Sequence, residues 1–120
     1  GFYTLPGSSR IYRDWILAKT GGGHGMVNLK SAIAESCNTY FWDLGVRMGI
    51  DHMSKFGSHF GLGMLTGIDI PSERKGVWPS REWKRGAKGQ AWYPGDTVNM
   101  SVGQGFVLMT PIQLAVMTAT

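Results

Sequence analysis

Ser36, Cys37 and Asn38 form the stretch whose residue types most directly invite chemistry, a hydroxyl and a carboxamide two positions apart at a break between two apolar helical patterns. A serine hydroxyl donates one hydrogen bond and accepts others, and a carboxamide does both through separate atoms, so the pair can pass a proton and orient a polar group. A serine that itself attacks a substrate needs a base to take its proton. No histidine or lysine has obvious local reach. From the residues alone, Ser36 and Asn38 are either caps at a helix break or part of a site completed elsewhere.

The elements that carry this triplet are short. Asn28 is an N-cap residue type, and Leu29, Ala32 and Ile33 follow at the spacing of a buried stripe, predicting a helix to about Glu35. Beyond the break, Tyr40, Phe41, Leu44 and Met48 repeat at helical spacing as far as Gly49, a natural stop. Asp51 predicts the cap of a third helix carrying Met53, Phe56 and Phe60 and ended by Gly61. Upstream, Gly1 to Trp15 reads as two extended segments joined by a turn at Leu5-Pro6-Gly7-Ser8-Ser9. Lys19 to Gly25 reads as a flexible loop, too rich in glycine for helix or sheet. Downstream, Ile68-Asp69-Ile70-Pro71 is the best strand fragment, Ser80 begins a helical turn from Arg81 to Arg85, and Trp92 to Asp96 is a turn. Val98, Met100 and Val102 then alternate towards Gly103-Gln104-Gly105, and Thr110-Pro111 opens a final helix with an N-cap and a proline at the first helical position.

Composition narrows the classes open to the chain. At 120 residues with 42% hydrophobic and 17% charged content it is globular, with one modest core. No apolar run approaches ~20 residues and no signal-peptide pattern opens the chain. A lone cysteine excludes an internal disulfide. The net charge of +4 is local: six basic and two acidic residues lie between Glu73 and Lys88, so the other residues sum to zero. With Trp78, Trp83, Trp92 and Tyr93 nearby, this basic stretch raises a rival reading, a nucleic-acid binding module working by phosphate contacts and base stacking, although no nucleic-acid motif accompanies it.

Four stretches occur in one order: Gly23-His24-Gly25-Met26-Val27-Asn28-Leu29, Glu35-Ser36-Cys37-Asn38-Thr39-Tyr40, Gly67-Ile68-Asp69-Ile70-Pro71, and Gly95 to Gly105 followed by Thr110-Pro111-Ile112-Gln113-Leu114. In these the sequence resembles the transpeptidase domain of the class B penicillin-binding proteins, most closely the penicillin-binding protein 2 group of Gram-negative bacteria. The resemblance implies an α/β (α+β) penicillin-recognising serine transpeptidase fold. Residues 1–120 would be the mainly helical central part of that domain, incomplete at both ends, with the sheet strands mostly outside.

The family's three motifs are Ser-x-x-Lys, Ser-x-Asn and Lys-[Ser/Thr]-Gly, in that order. Only the second stands in the right place. The resemblance therefore makes Ser36 the proton relay and Asn38 the orienting amide, with Gly103, Gln104 and Gly105 as a supporting corner, the nucleophile upstream of Gly1 and the third motif downstream of Thr120. Two look-alikes are set aside: Lys19-Thr20-Gly21 precedes Ser36, and Ser72-Glu73-Arg74-Lys75 lies between Pro71 and Gly76, where no helix would put Ser72 and Lys75 on one face. Asp14, His24 and Cys37 are zinc-ligating types, one short of a closed structural site. Some relatives look as though they hold such an ion, with a further aspartate just before the stretch matching Gly1. No cofactor is needed for the chemistry, and zinc would be structural.

The resemblance further implies peptidoglycan stem peptides as substrate, acylation by β-lactams, a glycan polymerase as neighbour in cell-wall elongation, no nucleic acid, and a place on the periplasmic face of the inner membrane. A catalytically inactive partner-docking domain of the same fold is the other alternative.

Overall fold

Leu5-Pro6-Gly7-Ser8 turns the chain back on itself. Ser8 donates its N–H to the Leu5 carbonyl at 3.1 Å, and Gly7 sits at φ 76°, the left-handed value that the third residue of such a turn takes readily as glycine. The turn joins β1 (Phe2–Thr4) to β2 (Ile11–Arg13), an antiparallel pair in which Tyr3 faces Tyr12. The computed structural model describes residues 1–120, and six helices follow this hairpin: α1 (Trp15–Thr20), α2 (Leu29–Ala34), α3 (Asn38–Ser58), α4 (Arg81–Lys88), α5 (Pro94–Ser101) and α6 (Pro111–Ala119).

α3 is two helical patterns in one. Gly49 interrupts it at φ 77° and ψ 160°, the stop expected after Met48, and the second half resumes at once with buried Ile50. α5 packs along α3, and the contact is close because Gly45 has no side chain: a Cβ there would lie 2.3 Å from that of Ser101. Two apolar clusters flank this pairing. Leu5, Tyr12, Trp42 and Val98 form one under the hairpin, and Ile50, Met100 and Val107 form the other, with Trp78 and Trp92 packed against it.

Four expectations fail for local reasons. The stretch after Trp15 is a helix, because Asp14 caps it and its glycines begin only at Gly21, which ends α1 rather than preventing it. Val98, Met100 and Val102 belong to α5 and its end, not to a strand; with Thr97, Val98 and Met100 all buried, a helix enclosed on more than one side loses the clean 3.6-residue pattern. Ile68 to Pro71 forms no strand either. The strand-like contact lies instead between Val77 and Leu108, an isolated antiparallel bridge with N–H to carbonyl distances of 2.7 and 2.9 Å. Asp51 does not cap a helix; it accepts from the Arg81 guanidinium at 2.9 Å. No helix is long and apolar enough to cross a membrane.

Candidate functional site

α2 closes at its C-terminus with two hydrogen bonds, Ser36 N–H to the Ile33 carbonyl at 3.2 Å and Cys37 N–H to the Ala32 carbonyl at 2.9 Å. This is the Schellman pattern, which asks the first residue past the cap to take a left-handed backbone. That residue is Ser36, at φ 52°. Glycine adopts this conformation freely, whereas an L-residue with a Cβ is strained by on the order of 1 kcal/mol. Ser36 is exposed and meets the chain through its backbone, its carbonyl accepting from the Trp15 indole N–H at 3.1 Å.

α3 begins at Asn38, and its N-cap position, Cys37, makes no side-chain hydrogen bond to the helix. The cap comes from elsewhere. Oδ2 of Asp14 accepts from both the N–H and the Oγ1 hydroxyl of Thr39 at 3.1 Å, while Oδ1 accepts from the Ile16 N–H at 3.3 Å. One carboxylate thus caps two helices, and Asp14 is only 2% exposed. Burial alone would raise its pKa; the hydrogen bonds from Thr39 and Ile16, with His24 nearby, hold the carboxyl below its ordinary range.

His24 lies against this carboxylate with Nδ1 3.6 Å from Asp14 Oδ2, too long for a hydrogen bond, and its side chain is 4% exposed. Both ring nitrogens are buried with no hydrogen-bond partner. Leaving such atoms unpaired is costly, and buried polar atoms in folded proteins are normally satisfied. Cys37, also buried, completes a group in which the donor atoms of Asp14, His24 and Cys37 all lie within 4.8 Å of one another. A carboxylate, an imidazole and a thiol are a zinc-ligating set, and orphaned imidazole nitrogens in their midst fit a metal. Gly1 lines the same opening as His24 and Cys37.

The five residues singled out at the start of the chain's chemistry therefore meet on one turn: Asp14, His24 and Cys37 inside, Ser36 and Asn38 on either side of Cys37. Gly103, Gln104 and Gly105 form a corner in which both glycines take left-handed backbone, at φ 74° and 72°. They follow α5, with Gln104 N–H donating to the Asn99 carbonyl at 3.0 Å, and Ser101 touches α3 at Gly45, about two helical turns from Asn38. Lys19-Thr20-Gly21 is the end of α1, with Gly21 as its left-handed cap, and Ser72 sits at φ 61° outside any helix. Sequence reasoning missed Trp15 and Thr39. The only signal was the position of Trp15 beside Asp14, which periodicity does not weigh.

The basic stretch is not one charged face. The Lys84 side chain is 2% exposed and paired with Asp96 at 2.6 Å, and Arg81 is paired with Asp51.

Residues 3–120 match the family model of the penicillin binding protein transpeptidase domain, and the chain belongs to that family. It is 47% identical over 119 residues to the peptidoglycan D,D-transpeptidase MrdA of Acinetobacter baumannii, covering 99% of this chain and 17% of that protein. Against MrdA of Escherichia coli strain K12 it is 43% identical over 115 residues, covering 96% of this chain and 18% of the relative. Among solved structures, Pseudomonas aeruginosa PBP2 in complex with WCK 5153 superposes with a TM-score of 0.89 at 47% identity, over 99% of this chain and 26% of that one. PBP2 of Helicobacter pylori in its complex with MreC gives 0.83 at 37% identity, over 94% of this chain and 20% of the other. The chain thus spans less than a fifth of the length of these curated relatives. The α/β transpeptidase fold is the one these relatives share, and residues 1–120 are a mostly helical portion of it.

Proposed function

We propose that this chain supplies the Ser-x-Asn part of a serine-type D,D-transpeptidase that crosslinks peptidoglycan stem peptides during cell-wall elongation. In that reaction a serine upstream of Gly1, helped by its lysine, attacks the D-Ala-D-Ala carbonyl. The peptide C–N bond breaks, and Ser36 passes a proton to the departing D-Ala amine while Asn38 orients the lysine and the substrate amide. The amine of a second stem peptide then opens the acyl-enzyme and frees the serine. A β-lactam enters by the same first step and remains attached. The Lys-[Ser/Thr]-Gly motif that binds the substrate carboxylate lies downstream of Thr120 in this reading.

The observation that carries the proposal is the backbone of Ser36. A strained left-handed residue at a helix end is ordinarily glycine, and here the position keeps a hydroxyl instead, at the head of α3 beside Asn38. The test is a pair of substitutions in the full-length protein, read with a fluorescent penicillin. Ser36→Ala and Ser36→Gly both slow acylation about a hundredfold, while Ser36→Gly leaves the thermal midpoint equal or higher because the strain is relieved. Wild-type acylation rates in both variants overturn the assignment. Residues 1–120 by themselves take up no label.

Asp14, His24 and Cys37 hold a structural zinc ion in this reading, with an aspartate preceding Gly1 as the fourth ligand. The unpartnered His24 nitrogens and the place of Gly1 at the same opening support it. When bound, the ion supplies crosslinks that brace the Ser36 turn and takes no part in the reaction. The whole protein works on the periplasmic face of the inner membrane, anchored by a helix outside this chain, beside a glycan polymerase. By similarity to the Helicobacter pylori complex, an MreC-type protein is a further partner.

A further inference from the structure

We propose that Trp15 is a positioning residue for Ser36, its indole N–H holding the relay serine in its left-handed turn; this rests on the reading of Ser36 given above. The N–H donates to the Ser36 carbonyl at 3.1 Å across 21 positions of sequence. Ser36 needs such a hold. Its φ of 52° is unfavourable for a residue with a Cβ, so the conformation persists only where surrounding contacts impose it.

Packing accounts for only part of Trp15. The residue is 45% exposed, against 7% for Trp42 in the core, so its ring covers about half its surface and leaves the rest open. What it does contribute is directional. Its N–H reaches Ser36, and its ring meets His24 edge-on, with centroids 5.5 Å apart at 67°. Its neighbour Asp14 takes the N–H and hydroxyl of Thr39. Two consecutive residues therefore grip the triplet from both ends, Trp15 at the Ser36 carbonyl and Asp14 at the Thr39 amide, with Cys37 buried between. Asp14 also caps α1, and Trp15 is the first residue of that helix, so the grip is as rigid as the start of α1.

The experiment uses the full-length protein with Trp15 replaced either by 3-benzothienylalanine, which keeps the bicyclic shape and puts sulfur where the N–H was, or by phenylalanine (Trp15→Phe). A fluorescent penicillin reports the saturating acylation rate constant and the pre-acylation dissociation constant, each in the wild-type and the Ser36→Ala background, with thermal midpoints measured alongside. Loss of the one hydrogen bond lowers the acylation rate constant about five- to tenfold. The dissociation constant stays within about twofold and the benzothienyl variant keeps its melting temperature, because the ring packing is retained. In the Ser36→Ala background the same replacement adds no further loss, since Trp15 acts through Ser36. A wild-type rate constant in the benzothienyl variant overturns the proposal. So does an undiminished loss in the Ser36→Ala background, which would place the effect of Trp15 elsewhere. If Ser36→Ala alone acylates at the wild-type rate, the relay reading falls and the proposal with it; if Ser36→Ala is slow and the benzothienyl variant fast, only the role of Trp15 falls.

Discussion

Lys84 and His24 are both basic side chains folded away from water, and the molecule treats them in opposite ways. Lys84 is satisfied: its Nζ lies 2.6 Å from Asp96 Oδ2 and 4.3 Å from the centroid of the Tyr93 ring, with Phe106 also in reach at 5.4 Å. The carboxylate of Asp96 also accepts from the Tyr93 N–H at 2.8 Å, so the pair ties α4 to the start of α5. His24 is unsatisfied. Its two buried nitrogens have no partner, although a carboxylate and a thiol stand within a few ångströms. Burial of a titratable group therefore marks no function by itself; an unpaired donor beside other metal-ligating atoms does.

The contrast breaks most decisively with metal. Purified full-length protein is expected to carry one equivalent of zinc, and a chelator or His24→Ala should destabilise it by about 4 kcal/mol at zinc levels a thousandfold above the dissociation constant. Elemental analysis with thermal melting checks this. Absence of metal together with an unchanged melt would make His24 merely an unsatisfied core residue.

A smaller loss is expected at the closed site. Asp96→Ala leaves Lys84 buried and unpaired and should cost about 3 kcal/mol, whereas Lys84→Met, which replaces the cation by an apolar chain, should stay within about 1 kcal/mol of wild type. Urea unfolding distinguishes the two. Equal losses in both variants would mean that Lys84 contributes more than a neutralised pair.

Smallest of all is the effect at Glu73, a half-buried counterpart to both sites. Its carboxylate accepts from the N–H and hydroxyl of Thr66 and from the N–H of Gly67, and these bonds hold its pKa below the ordinary 4.5. A depressed folded pKa means that the stabilisation is present above the unfolded value and is lost as pH falls through the folded one. Amide exchange at Thr66 and Gly67 should therefore show protection that holds at neutral pH and is lost as pH falls below the ordinary carboxylate range, after correction for intrinsic rates. Protection that is flat across the range would show that the loop is held by other contacts.

Much of the candidate site was legible in the chain itself. The break at Ser36, the caps at Asn28, Ser80 and Thr110, and the stop at Gly49 all appear where the residue types put them. Each depends on hydrogen bonds or backbone preferences within a few residues, which a linear reading can see. The errors have causes of their own. α1 was hidden by the glycines that follow it, α5 by burial on more than one side, and the basic stretch by summing charges without knowing that Lys84 is internal.

The sequence by itself determined the family, the Ser-x-Asn motif and the types of its three candidate ligands, because those are properties of residues and their order. Only the tertiary structure decided that Asp14 caps a helix 25 positions away, that Trp15 reaches Ser36, and that His24 is left without a partner. Such contacts depend on where the chain returns to itself, and the hairpin and the α2–α3 turn must both be in place before Asp14 and Trp15 can meet the triplet they hold.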